Sequence, residues 1–356
     1  MTLREKTIKF NIGNKTIGGS NDILIQTMAN IKTSKVEEIL ALDKELKALG
    51  NDLLRLSVLD EEDAEAFKEL SSRTSTPLIA DIHFDYRLAI KAIQNGAKKI
   101  RINPGNIGGE ENLKKVIDVA KEYNVPIRIG VNSGSLSSKY TNKHDELDSY
   151  MESLDEVVKL MEKYDFRNIV LSLKSSSPEL TYQAYKRASE IYPYPLHLGV
   201  TEAGGGVDGA LRTAIALVPL LRDGIGNTIR ISLTDDPREE VKACKTLLSG
   251  LGLRKDVPTL ISCPTCGRTQ VNLIKTYNIV KEKLNYVNKP IKVAIMGCPV
   301  NGPGEAREAD VGLAGGIGEG LIFRKGEVLR KVPEEKLVNE LFVEIEKILL
   351  ERKVSH

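Results

Sequence analysis

Cysteine is scarce in this chain, with four residues in 356. That number excludes a disulfide framework and makes a reducing cytoplasm the simplest setting, where a CxxC pair reads as metal-binding or redox-active. An excess of charge of either sign is also missing. The formal net charge is +2, so the polyelectrolyte signal of a nucleic-acid or membrane-surface protein is absent and neither partner is expected. No run of about eighteen apolar residues occurs, so no spanning helix is expected. The opening stretch, MTLREKTIKF, lacks the apolar core of a secretory signal and the Ser- and Arg-rich, acid-poor character of a transit peptide. Cytoplasmic residence is the resulting expectation.

What the chain does have is alternation. Short apolar runs begin at Leu24 (LIQTMA), Asp52 (DLLRLSV), Pro77 (PLIADIH), Lys99 (KIRINP), Pro126 (PIRIGVN), Asn168 (NIVLSLK), Pro195 (PLHLGVTE) and Thr228 (TIRISL). Amphipathic stretches such as KVEEILALDKELKALG and EENLKKVIDVAKEYN separate them. Strict strand–helix alternation implies a parallel sheet, and eight units imply an α/β fold of the (β/α)8 TIM-barrel type. The rival is a doubly wound open sheet, against which no GxGxxG follows the first strand. After the eighth helix comes LSGLGLRKDVPT, a Gly- and Pro-punctuated linker. The expected organisation is therefore a barrel over residues 1–252 and a smaller α/β domain over residues 258–356, ending in a helix from about Pro333 to Arg352.

Four strands carry a single arginine between apolar neighbours: Arg55, Arg101, Arg128 and Arg230. Side chains alternate across a strand. Ile100 and Ile102, or Ile229 and Ile231, then face the helices, and the arginines face the barrel interior. Lys174, between Leu173 and the strand end, follows the same logic. Clustered cations repel at low dielectric. Asp81, Glu202 or Asp235 would compensate only one or two, leaving two readings: internal salt bridges, or a highly anionic ligand such as a diphosphate held by guanidinium forks. The site belongs at the C-terminal strand ends, where His83, Asn103, Asn132, Thr201, Glu202 and Ser232 also fall. His83 beside Asp81 reads most simply as part of a satisfied polar layer. Glu202 either donates a proton or neutralises the cations, and spacing does not choose between them. Lys174 also admits a Schiff-base role, which the neighbouring arginines disfavour.

Cys263 and Cys266 form the CxxC of LISCPTCGRT, and Cys298 lies in VAIMGCPVNGPGE. Cys244 falls on a helical face with Val241, Leu248 and Leu251 and reads as a buried apolar residue. No histidine lies near the three remaining cysteines, and Glu305, in the turn-rich NGPGE, is the best candidate for a fourth ligand. Three thiolates with a carboxylate suit an iron–sulfur cluster better than structural zinc, with a simple dithiol as the third possibility.

Taken together, CPTCGRT, GCPVNGPGEA and AGGIGEG behind a barrel bearing IRINPGN, IRIGVNSGSL and VTEAGGG resemble the 4-hydroxy-3-methylbut-2-enyl diphosphate synthase family over nearly the whole chain. The pattern looks like the two-domain bacterial form. The resemblance implies a [4Fe–4S] cluster on Cys263, Cys266 and Cys298, with Glu305 as an exchangeable fourth ligand. It implies 2-C-methyl-D-erythritol 2,4-cyclodiphosphate as substrate, a two-electron reductive ring opening with loss of water, and ferredoxin or flavodoxin as electron donor. Matched position by position, the resemblance implies that Arg55, Arg101, Arg128, Lys174, Arg230 and Ser232 bind substrate with Asn132 and Thr201 assisting, that Glu202 is the acid, and that Asn301 reaches the substrate from the cluster domain.

The linker adds a geometric expectation. Each barrel helix returns the chain to the face opposite the arginines, and a dozen residues span at most about 40 Å. The second domain then caps a neighbouring chain more readily than its own barrel. The expectation is a head-to-tail homodimer with a shared site, as the family resemblance also implies.

Overall fold

All eight expected barrel strands form, in the expected order. The computed structural model describes residues 2–19, 22–132, 146–298 and 306–354. It divides into two units, Met1–Leu253 and Arg254–His356.

In the first unit, β3 (Leu24–Met28), β4 (Leu53–Val58), β5 (Leu78–Ile82), β6 (Lys99–Ile102), β7 (Ile127–Asn132), β8 (Ile169–Lys174), β9 (His197–Leu198) and β10 (Thr228–Ile229) run parallel. Their order is β8-β7-β6-β5-β4-β3-β10-β9, and a single bridge between Leu171 and Leu196 closes the ring. The eight helices are α1 (Val36–Leu49), α2 (Glu61–Arg73), α3 (Tyr86–Gln94), α4 (Glu110–Glu122), α5 (Glu146–Lys163), α6 (Pro178–Ile191), α7 (Gly206–Arg222) and α8 (Pro237–Gly250). Local signals place their starts: the side chains of Asp60, Asp85, Ser177 and Asp236 accept N–H bonds from the first turns of α2, α3, α6 and α8. Outward residues such as Ile100, Ile102, Leu171, Leu173, Ile229 and Ile231 are buried in the core between strands and helices.

Two features depart from the sequence-based expectation. The last two strands are far shorter than their apolar runs, so Thr201, Glu202, Arg230 and Ser232 lie beyond regular pairing. An antiparallel hairpin, β1 (Phe10–Ile12) and β2 (Lys15–Ile17), also precedes the barrel. Its two-residue turn uses Gly13 at φ 58°, a left-handed value that glycine adopts without strain. Ile12 and Ile17 pack with Leu24, Leu53, Ile79 and Val170, the inward residues near the starts of four strands. The hairpin is the apolar floor of the barrel.

The second unit is a five-stranded sheet, β11 (Thr259–Ser262), β12 (Lys292–Met296), β13 (Val311–Gly315), β14 (Glu319–Arg324) and β15 (Glu327–Pro333). In it β11, β12 and β13 pair in parallel, and β14 pairs antiparallel with both β13 and β15. The helices α9 (Leu273–Leu284) and α10 (Leu337–Val354) contribute Leu273, Val280, Leu341 and Ile345 to one apolar layer with the sheet. Gly312 pairs with Phe323 across the sheet, and a Cβ there would lie 2.3 Å from the Phe323 ring. Among the described residues, no helix is long and apolar enough to cross a membrane.

Candidate functional site

The arginine-bearing strands build a polar interior above the apolar floor. Arg55, Arg101, Arg128 and Lys174 stand on β4, β6, β7 and β8, and Arg230 directly follows β10. Arg128 and Lys174 are buried, and the other three are mostly so. Strand pairing sets Arg101 beside Arg128 and Asn132 beside Lys174.

Two carboxylates compensate part of this charge. Asp81 on β5 lies 3.5 Å from Arg55 Nε and 3.3 Å from Arg101 Nη1. Burial opposes its ionisation, but Arg55, His83 and Arg101 together hold the carboxyl well below its usual range. His83 sits 3.4 Å from the same carboxylate and half exposed, in keeping with the polar-layer reading. The second carboxylate is Glu240, from the first turn of α8. It accepts from Arg230 Nε at 2.9 Å and Nη2 at 2.8 Å. Sequence reasoning named Glu202 and Asp235 for such roles and overlooked Glu240. Asp235 is exposed, with Oδ1 accepting the Asp236 N–H. Glu202 is exposed, adopts φ 58° and makes no ion pair among the described residues.

Charge remains uncompensated. Arg128 Nη2 donates to Ser172 Oγ at 3.0 Å, while its Nε and Nη1 have no partner among the described residues. Burial, with Arg55 and Arg101 nearby, lowers the Arg128 pKa to about 9. Arg55, which also donates to Met28 Sδ, is lowered to about 10 by burial despite Asp81. Lys174 lies well below the usual lysine range through burial and then repulsion from Arg128, Arg230 and Arg55. Gly199 makes room for it, since a Cβ there would lie 2.7 Å from Lys174 Nζ. The sequence reading also missed a sixth cation, Lys99, two residues before Arg101 and therefore inward on the same strand. The arrangement can neutralise an anion of several charges while excluding bulk water.

Thr201 and Ser232 are half-buried just past the short strands. Asn103 Oδ1 instead accepts the Gly105 N–H and shapes the turn after β6.

In the second unit, Cys263 follows β11 and Cys298 lies two residues past β12, so both stand at the C-terminal ends of neighbouring parallel strands. The Gly297 N–H donates to Cys263 Sγ at 3.3 Å. Cys266 is exposed in a turn closed by its bonds with Thr269, and the Arg268 backbone N–H lowers its thiol pKa. Donors aimed at sulfur favour thiolates, the form that ligates metals and iron–sulfur clusters. This donor set fits such a group. Among the described residues, no three His, Cys, Asp or Glu side chains yet converge closely enough to hold an ion. Glu305 and Asn301 lie outside the described residues. Cys244 is buried on α8 and accepts the Ile231 N–H at 3.4 Å, well within the barrel core.

Comparison with known proteins adds to this geometry. Residues 7–245 match the GcpE TIM-barrel domain and residues 259–347 the GcpE protein C-terminal domain. A 4-hydroxy-3-methylbut-2-en-1-yl diphosphate synthase (flavodoxin) of Caldanaerobacter subterraneus subsp. tengcongensis is 52% identical over 351 residues, 98% of this chain and 99% of its own. The protein of that name from Clostridium perfringens is 52% identical over 97% of this chain and 99% of its own. Among solved structures, dihydropteroate synthase from Stenotrophomonas maltophilia overlays 69% of this chain and 98% of its own with a TM-score of 0.53. Its 14% identity speaks for the barrel fold alone.

Proposed function

Because the chain belongs to the GcpE family over both of its units, we infer that it catalyses the reductive ring opening of 2-C-methyl-D-erythritol 2,4-cyclodiphosphate to 4-hydroxy-3-methylbut-2-enyl diphosphate. The reaction consumes two electrons, delivered by flavodoxin, and releases one oxygen as water. The observation that carries this reading is the surplus of inward cations in a barrel closed below by an apolar floor.

In this reading Arg55, Arg101, Arg128, Lys174 and Arg230 bind the cyclic diphosphate, with Ser232, Asn132 and Thr201 assisting. Arg128 offers two nitrogens, Nε and Nη1, that have no partner among the described residues, so no existing bond is broken there. Binding there excludes water and fixes the ring. Glu202, at the rim and not tied up by a described cation, is the proton donor for the departing oxygen. Asn301 completes the polar contacts. Cys263, Cys266 and Cys298, with Glu305, would hold a [4Fe–4S] cluster, which supplies single electrons when bound.

The proposed assembly is a head-to-tail dimer in which the cysteine unit of one chain serves the barrel of the other. It rests on the topology of a (β/α)8 barrel, in which each helix, α8 included, returns the chain to the face opposite the C-terminal strand ends. Mixing Glu202→Gln chains with Cys298→Ser chains then restores some turnover; absence of recovery counts against sharing. For the reaction itself, protein purified anaerobically is assayed for iron, sulfide and visible absorption, then for product with reduced flavodoxin. A colourless zinc protein without turnover sinks the reading.

A further inference from the structure

Lys99 has no part in the binding set above, yet it is the most enclosed cation of the barrel. Its residue is fully buried. Its Nζ donates to Gln26 Oε1 at 2.9 Å, a neutral acceptor, and no ion pair with a described carboxylate is formed. Beneath it the hairpin residues Ile12 and Ile17 close the barrel.

The groups that act on it come from several strands of the ring. Gln26 stands on β3, Arg55 on β4, Arg128 on β7 and His197 on β9. His197 brings no negative charge, with Nδ1 bonded to Thr228 Oγ1 at 2.7 Å and Nε2 unpartnered among the described residues. The two interior carboxylates are already engaged, Asp81 by Arg55 and Arg101, and Glu240 by Arg230. Among the described residues donors therefore outrun acceptors: Gln26 Nε2, Arg101 Nε, and Arg128 Nε and Nη1 have no hydrogen-bond partner there. An ammonium at this fully buried position has a neutral amide as its acceptor and no described carboxylate beside it, which is the circumstance in which a buried lysine gives up its proton. Burial, then Arg128 and Arg55, set its pKa well below the usual lysine value.

We propose that Lys99 is a gated counter-charge of the diphosphate site, unprotonated in the free barrel and protonated from solvent when a polyanion enters above it. The proposal rests on the diphosphate reading of the barrel. The incoming phosphates supply the missing negative charge, so the ammonium becomes affordable only when the site is filled. Anion affinity and proton uptake are then linked, each strengthening the other. The device keeps a deep cluster of cations foldable without ligand. It also rewards ligands of high charge over singly charged ones, because only the former offset both the arginines and the extra proton.

The test uses the full-length protein with inorganic pyrophosphate as probe, by titration calorimetry at about pH 7.5 in buffers of different ionisation enthalpy. Inorganic sulfate, which does not titrate in this range, serves as a second probe in a pH-stat. The wild type takes up protons with either anion. Lys99→Met and Lys99→Gln, checked for folding by circular dichroism, take up about one proton fewer per site and bind pyrophosphate about tenfold more weakly. The same proton count in the folded variants overturns the role of Lys99 while leaving the diphosphate reading intact. Should both variants fail to fold, absence of proton uptake by the wild type with sulfate overturns it instead. A wild type that binds neither anion overturns the diphosphate reading and this inference with it.

Discussion

Replacing Glu240 with glutamine should make the barrel less stable and better at holding anions. Glu240 is 2% exposed and accepts four hydrogen bonds: Arg230 Nε at 2.9 Å, Arg230 Nη2 at 2.8 Å, the Leu233 N–H at 3.0 Å and Thr27 Oγ1 at 2.5 Å. Glutamine keeps the shape and one accepting oxygen. Its NH2 group meets donors, and Arg230 loses its only described counter-charge. Breaking a buried pair costs about 3–5 kcal/mol, and the retained oxygen places this case near 3 kcal/mol. The same change removes one negative charge from the barrel wall. At an effective dielectric of about 20, a charge roughly 8–10 Å from a bound phosphate is worth about 2 kcal/mol, so pyrophosphate should bind at least tenfold more tightly. Urea unfolding followed by circular dichroism reads the first effect, with the two units allowed separate transitions. Calorimetry reads the second. Saturating pyrophosphate should also restore much of the lost stability by mass action. A variant as stable as the wild type, or a folded one that binds more weakly, refutes Glu240 as the counter-ion of the site.

Gly199→Ala should spare the fold and weaken pyrophosphate binding about tenfold or more, because the new Cβ would lie 2.7 Å from Lys174 Nζ and 3.0 Å from the Arg230 carbonyl oxygen. Unchanged affinity in calorimetry would show that Lys174 does not need that space. Asp81 should shape the acid limb of stability. Its folded pKa lies below the unfolded value of about 3.9, so its contribution is fully present above that pH and lost as pH falls through the folded value. Urea midpoints of the wild type should therefore drop below about pH 4, and Asp81→Asn should flatten the curve in that window; parallel curves would contradict the argument. Ile12→Ala, at the floor, should cost about 2–5 kcal/mol and speed amide exchange at the starts of β3, β4 and β5. Unaltered exchange would mean that the hairpin does not seal the barrel.

Much of this architecture is legible in the sequence, and the exceptions have physical causes. A cation inside an apolar strand is conspicuous because alternation assigns it a face, which is why Arg55, Arg101, Arg128 and Arg230 point inward as the spacing predicts. Lys99 obeys the same rule, but it opens its strand, where a lysine looks like a solvated end. The hairpin strands have three residues each, too short for periodicity, although Gly13 and Asn14 between apolar alternations carry a turn signal. The shortness of β9 and β10 hides because apolar runs record burial, not hydrogen-bond pairing. Cys263 and Cys298 are separated in sequence and come to neighbouring strand ends only because β11 and β12 pair in parallel.

Glu240 marks a harder limit. In the first turn of α8 its acidic neighbours Glu239 and Asp236 look the same in one dimension, and all three suit the positive end of a helix. Only the packing of α8 against the strands selects Glu240 for Arg230. The interior thus draws its cations from strands, where alternation exposes them to reading, and one of its two compensating anions from a helix, where nothing local does. This asymmetry makes a sequence-based charge count overstate the surplus, by one unit at Arg230. It also identifies the groups that stay uncompensated once the fold is known: Arg128, Lys174 and Lys99, each without a described carboxylate partner and all deep in the ring. Those three, and not the paired arginines Arg55, Arg101 and Arg230, are where a bound anion should yield its largest gain, because there alone it replaces no described ion pair.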